Sequence, residues 1–274
     1  MKRILVLTDL SEIANYGVEA AFSLAKVSKA VVKILYAATE GISLLGNFEE
    51  TKNPPFQLKD NNLQNQINYW KELSEKNAVP TSFQIENALL FSFFENFLKK
   101  GNYDLIVMGG TGVGKSKEFW GSTTEMVIQQ ADIPVLIVKE RLEKTLFEKV
   151  VFASSFDNED KAAFSIMLNL LSFSPSAIFY LLAINTESYF GQPAPLMNEA
   201  MEDFIELASP YRCEKRFYRD YNVNAGIRHF AEEVNPNLIV MSDKHKKPLK
   251  HLIFGHEAVK VASQADYPVL IIDY

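Results

Sequence analysis

The residues GGTGVGKS, 109–116, match the phosphate-loop pattern G-x-x-x-x-G-K-[ST] and follow the strand-like run DLIVM. In such a loop, glycines let backbone N–H groups approach a phosphate closely, Lys115 would reach the β- and γ-phosphates, and Ser116 would hold Mg²⁺. This P-loop NTPase reading also needs a helix directly after the lysine and further strands to supply a metal-binding aspartate. Here Gly121 and Ser122 postpone the helix, and only PVLIV follows before the sequence pattern restarts. The spacing therefore favours GVGKS as a surface turn with Lys115 directed to solvent. Other groupings carry less chemistry. His229, His245, His251 and His256 are irregularly spaced and have no companion cysteines, so they make no zinc framework. Cys213, the single cysteine, cannot form an internal disulfide and is expected to pack as a small apolar side chain at a strand start. Asp157 and Asp160, ahead of KAAFSIM, read as a helix N-cap arrangement. Ser154 and Ser155 lack a nucleophile-elbow frame. With no catalytic constellation visible, the expectation is a protein that is not an enzyme.

The elements that must position these residues come twice. DLIVMGGTGVGKSKEFWGSTTEMVIQQADIPVLIV (104–138) aligns with NLIVMSDKHKKPLKHLIFGHEAVKVASQADYPVLII (237–272), sharing LIVM, QAD and PVLI. RILVLTDLSEIANYGVEAAFSLAK (3–26) aligns likewise with KVVFASSFDNEDKAAFSIMLNLLS (149–172). The chain thus reads as a tandem duplication with its joint near KERLEKTLFE, giving domains 1–143 and 144–274. Strands are expected at RILVLT, VVKILYA, TSFQIE, YDLIVM and PVLIV, and in the second half at KVVFAS, AIFYLLAI, EKRFYR, NLIVM and PVLIID. Between them, residues 57–76 set Leu63, Ile67, Trp70 and Leu73 at helical spacing, and ALLFSFFENFLKK does the same with Leu90, Phe94 and Phe97. Apolar strands alternating with helices predict an α/β fold with a parallel, doubly wound sheet, whose ligands bind at the carboxyl ends of the strands near a switch in strand order. Composition adds exclusions. A net charge of -6 shows no basic surplus for nucleic acid, and neither the N-terminus nor any apolar run reaches signal-peptide or transmembrane length. A cytoplasmic location without membrane partners is the expectation.

The stretch RILVLTDLSEIANYGVEAAFSLAKVSKAVVKILYA (3–37) resembles the opening of a universal stress protein, and DLIVMG with GSTTEMVIQQADIPVLIV resembles its closing signature. Because both halves take part, the chain resembles a tandem universal stress protein. The resemblance implies a five-stranded parallel α/β domain, a stress-response role and, in part of the family, an ATP site, with Mg²⁺ accompanying the nucleotide. That site uses an aspartate after the first strand, a residue at the end of the second, and a glycine loop G-x2-G-x9-G-[ST]. Carried over, these positions are Asp9, Ala37, Gly109, Gly112, Gly121 and Ser122, with Thr124 as a later hydroxyl. One departure stands out: VGKSKEFW places eight residues between Gly112 and Gly121, one fewer than the pattern. In the second half Asp9 is matched by Ser155, the early glycines by Ser242 and His245, and Ser122 by His256, leaving only Gly255. Side chains there would stand where phosphates need bare backbone, so no ATP is expected in that half. The replacement loop DKHKKPLKH (243–251) is read as a solvated charged loop. The resemblance further implies pairing through the last strands, so IPVLIV and YPVLII would form an intramolecular pseudo-dimer, open to further homo-oligomerisation. A nucleotide-free protein-interaction module is the alternative, and the P-loop NTPase the third.

Overall fold

The computed structural model describes residues 1–37, 61–86, 91–110, 122–142, 147–186, 194–243 and 255–273. The chain divides into two compact units, Met1–Thr145 and Leu146–Tyr274.

In the first unit, β1 (Arg3–Thr8), α1 (Glu12–Ser28), β2 (Val31–Ala37), α2 (Asn61–Asn77), β3 (Thr81–Glu86), α3 (Phe91–Gly101), β4 (Leu105–Gly109), α4 (Ser122–Gln130) and β5 (Val135–Val138) follow in order. The strands are all parallel and arranged β3-β2-β1-β4-β5. Ile4, Leu5 and Val6 of β1, Ile106 and Val107 of β4, and all of β5 are buried, which requires cover on both faces and explains their unbroken apolar sequence. Ser11 caps α1 by accepting the Ala14 N–H at 3.1 Å, and Lys29 ends the helix at φ 57° in the left-handed region. In α2, Leu63, Ile67 and Trp70 are buried and Leu73 is half-buried; Trp70 stacks on Phe83 with centroids 5.9 Å apart. Phe94 of α3 is buried and Phe97 half-buried, whereas Leu90, expected on the same stripe, lies outside the described residues.

The second unit repeats this order: β6 (Lys149–Ala153), α5 (Asp160–Leu170), β7 (Ile178–Asn185), α6 (Ala194–Ala208), β8 (Arg212–Arg219), α7 (Val223–Val234), β9 (Leu238–Asp243), α8 (Gly255–Gln264) and β10 (Val269–Asp273). Its parallel order, β8-β7-β6-β9-β10, is that of the first unit. Its core is more aromatic, with Phe164 and Phe204 packed 5.2 Å apart beside Phe152 and Phe156.

Small devices are duplicated with the topology. Asp104 Oδ2 accepts the N–H groups of Lys2 and Arg3 at 2.5 and 2.8 Å, and its counterpart Asn237 accepts those of Glu148 and Lys149, both at 2.9 Å. Each latch fixes the start of a central strand. At the opposite end of β1 and β6, Leu10 (φ 67°) and Phe156 (φ 57°) both occupy the left-handed region, a conformation unfavourable for side chains of this size. The sharp turn between first strand and first helix is therefore preserved at a conformational cost in both units. No helix among the described residues is long and apolar enough to cross a membrane.

Candidate functional site

In the first unit the chain runs from β1 to β2 on one side and later to β4 on the other, so strand order reverses between β1 and β4. Crevices outside the carboxyl ends at such a reversal are where open α/β sheets take ligands. The register sets Thr8 against Tyr36 and Leu7 against Met108, which places Asp9, Ala37 and Gly109 at the carboxyl ends of three neighbouring strands. Asp9 is exposed, and its Oδ1 accepts the Ser11 N–H at 2.9 Å. That bond holds the carboxylate at the turn, while Oδ2 has no partner among the described residues. Thr8 is buried and accepts the Leu10 N–H at 3.2 Å. Ser122 opens α4 and Thr124 is buried in its first turn. Gly112 and Gly121 lie outside the described residues, as do Lys115 and Ser116. Among the described residues β5 is the last strand of this unit, so none beyond it supplies the aspartate that a P-loop requires.

Gly109 has a second reason to be glycine. A Cβ there would lie 2.4 Å from the Ile13 carbonyl oxygen and 2.6 Å from the Ala14 Cα, and one on Gly17 would lie 2.8 Å from the Gly109 nitrogen. The first turns of α1 are thus pressed directly onto the end of β4, backbone against backbone. Gly110 extends the constraint, since its Cβ would meet Ile137 Cγ2 at 2.6 Å.

Along α1, beside this turn, Glu12, Asn15, Tyr16, Glu19, Tyr69 and Arg141 line an open cleft of about 450 Å³. Glu19 receives Arg141 Nε and Nη2 at 2.6 and 2.8 Å and the Tyr69 hydroxyl at 2.6 Å. Burial, then the hydrogen bond to Glu19, push the Tyr69 phenol up to about 12, so it remains a donor at neutral pH. The three residues are 50 and 122 positions apart in sequence, and no local pattern announces them.

The universal stress protein family model matches residues 1–139 and again residues 147–273. The chain belongs to the universal stress protein family. A universal stress protein of Methanocaldococcus jannaschii is 28% identical over 144 residues, covering 51% of this chain and 82% of that protein. Among solved structures, a universal stress protein of Archaeoglobus fulgidus superposes with TM-score 0.67 at 17% identity, covering 99% of this chain and 98% of its own. A functionally unknown protein of Pseudomonas aeruginosa gives TM-score 0.69 at 14% identity, covering 100% and 92%. At those identities the structural likeness speaks for the fold.

The second universal stress protein domain fills the corresponding crevice with its own side chains. Ser154, Ser155, Asp160 and Ser242 stand opposite Thr8, Asp9, Ala14 and Gly109 in the duplicate alignment. Asp160 is completely buried. Its Oδ2 accepts the Ser154 hydroxyl at 2.7 Å and the Asp157 N–H at 3.1 Å, while the Ser155 hydroxyl lies 3.1 Å from both Asp160 Oδ2 and Asp157 Oδ2 and shares its one proton between them. Its Oδ1 accepts the Ser242 hydroxyl from β9 at 3.1 Å. The helix-cap expectation for Asp157 and Asp160 holds in one half: Asp160 Oδ2 reaches back to the Asp157 N–H three residues earlier, the return bond of a capping box, but the same carboxylate also has a long-range partner. The N-cap of α5 is Glu159, which makes no side-chain cap bond, and the Asp160 carboxylate is turned into the fold across the sheet end. Sequence proximity shows the Asp157 bond, while the partner across the sheet end, Ser242, is 82 residues away.

Of the four histidines, His229 pairs through Nδ1 with Asp220 Oδ2 at 2.7 Å, whereas the side chains of His245, His251 and His256 lie outside the description. The imidazole's hydrogen bond holds the Asp220 carboxyl below its ordinary value. Cys213, in β8, is half-buried, and burial pushes its thiol up to about 11, keeping it protonated at neutral pH. Among the described residues no group of three or more His, Cys, Asp or Glu side chains could hold a metal ion.

Proposed function

We propose that the protein is a non-enzymatic stress-response regulator in the cytoplasm, whose first unit binds one ATP, accompanied by Mg²⁺, and whose second unit binds none. The observation that carries this reading is the convergence of Asp9, Ala37 and Gly109 on the carboxyl ends of β1, β2 and β4 at the reversal of strand order. There Asp9 accepts ribose hydroxyls or the adenine amine, while glycine backbone and the start of α4 at Ser122 receive the phosphates. Gly112, Gly121 and Thr124 complete the set, with the loop one residue shorter than the family pattern. Thermal melting of the full chain across an ATP series tests it. Saturating nucleotide at a hundred times its dissociation constant stabilises the bound unit by about 2.7 kcal/mol, and a melting curve that ignores ATP rejects the site.

A second reading, a nucleotide-free interaction module, is favoured by a specific observation. The Asp9 bond to Ser11 and the glycine demanded by α1 packing at position 109 each have a local structural explanation. Co-purified nucleotide, sought by mass spectrometry of the denatured protein, separates the two.

The tandem repeat also supports an intramolecular pseudo-dimer in which the last strands, IPVLIV and YPVLII, cover each other's edges. Expressed alone, residues 1–140 should then form a homodimer or aggregate in light scattering. A stable monomer would remove the pairing.

A further inference from the structure

We infer that Asp160 is a built-in occupant of the second unit's crevice: its carboxylate takes the donors at the ends of β6 and β9 that a ligand would use, and it bars a nucleotide phosphate from this unit in addition to the lost loop glycines. The inference deepens the one-ATP reading and rests on it for the identity of the excluded ligand.

The geometry is that of an anion in a prepared site. Donors come from both sides of the strand-order reversal: Ser154, Ser155 and the Asp157 amide follow β6, and Ser242 belongs to β9. They reach both oxygens of one completely buried carboxylate. A carboxylate removed from water is costly unless donors of this kind surround it. Two consequences oppose a nucleotide. The hydroxyl and amide donors are already engaged, and a phosphate brought to the same crevice would meet a like charge in a poorly screened environment.

The first unit lacks this occupant for a visible reason. Its counterpart of Asp160 is Ala14, and the Gly17 and Gly109 contacts hold α1 so close to β4 that even a Cβ at Gly109 would lie 2.6 Å from the Ala14 Cα. In the second unit Ala163 and Ser242 replace those glycines, so the helix and strand cannot keep the same backbone contact. The carboxylate occupies the region between them.

The test is chemical rescue in the full-length chain. Asp160→Ala removes the internal anion and leaves its donors in place. Its melting temperature should fall by about 6 °C or more. Sodium formate should recover about half of that loss relative to sodium chloride at equal ionic strength, while leaving wild type unmoved. An unchanged melting temperature, or formate acting equally on both proteins, overturns the inference. If Asp160→Ala does not fold, Ser242→Ala removes a single donor and should lower melting by about 2 °C; no change there would equally count against it. A second arm places the charge in the first unit by Ala14→Asp, with Ala14→Asn as the isosteric neutral control for the close packing at that position. ATP affinity should drop at least tenfold further in Ala14→Asp than in Ala14→Asn, and equal losses would refute the exclusion. A wild type that binds no ATP defeats the functional proposal alone, since the formate experiment needs no nucleotide.

Discussion

Two crevices with one topology carry different residues at matched positions. In the first unit α1 rests on β4 through Gly17 and Gly109, and Asp9, at the end of β1, stays exposed. In the second, Ala163 and Ser242 take the glycine positions and a carboxylate lies buried under three hydroxyls and an amide. The unfavourable turn conformation at Leu10 and Phe156 survives in both. The scaffold of this turn is therefore common to both units. What distinguishes the two crevices is which groups satisfy the donors at the strand ends.

The comparison breaks hardest at Gly109. Gly109→Val should destabilise the first unit by about 3 kcal/mol or more in urea denaturation, because backbone atoms of α1 stand where its Cβ must go. Ser242→Ala should cost only about 1 kcal/mol, the loss of a hydrogen bond. Equal effects would mean that the glycine contact is not what seats α1.

Asp9→Ala should weaken ATP about tenfold or more, as expected for lost hydrogen bonds to a charged group, while Ser155→Ala leaves ATP affinity unchanged. Parallel titrations decide it, and an unaltered Asp9→Ala protein takes that residue out of the site.

The smallest effect lies in the second unit at Asp220. Its folded-state pKa is depressed below the ordinary 3.8 by the His229 hydrogen bond, so its stabilisation is fully present above that value and is lost as pH falls through the depressed one. Asp220→Asn should flatten the acid limb of the stability curve below about pH 4 and leave neutral stability nearly unaltered. An unchanged acid limb would show that the pair contributes nothing.

Much of the fold was legible in the sequence, because its signals are local or periodic. Unbroken apolar runs such as LIVM mark strands buried on both faces, the Leu63, Ile67 and Trp70 stripe marks α2, and the duplicate alignment halves the problem. The candidate site was legible only as positions. That Gly109 serves α1 packing depends on how closely a helix approaches a strand, which composition does not encode. Asp160 is legible as a partner of Asp157, three residues away, but its bond to Ser242, eighty-two away, is not. Its signal was nevertheless present: in the repeat alignment a charged residue stands opposite the buried Ala14. The Glu19, Tyr69 and Arg141 group has no such duplicate to betray it.

The central claim is functional asymmetry between two units of the same fold. Isothermal titration of the full-length chain with ATP in the presence of Mg²⁺ tests it most directly. The account predicts saturation at one nucleotide per chain, lost or weakened about tenfold in Asp9→Ala. Two equivalent sites per chain, or none, would contradict it.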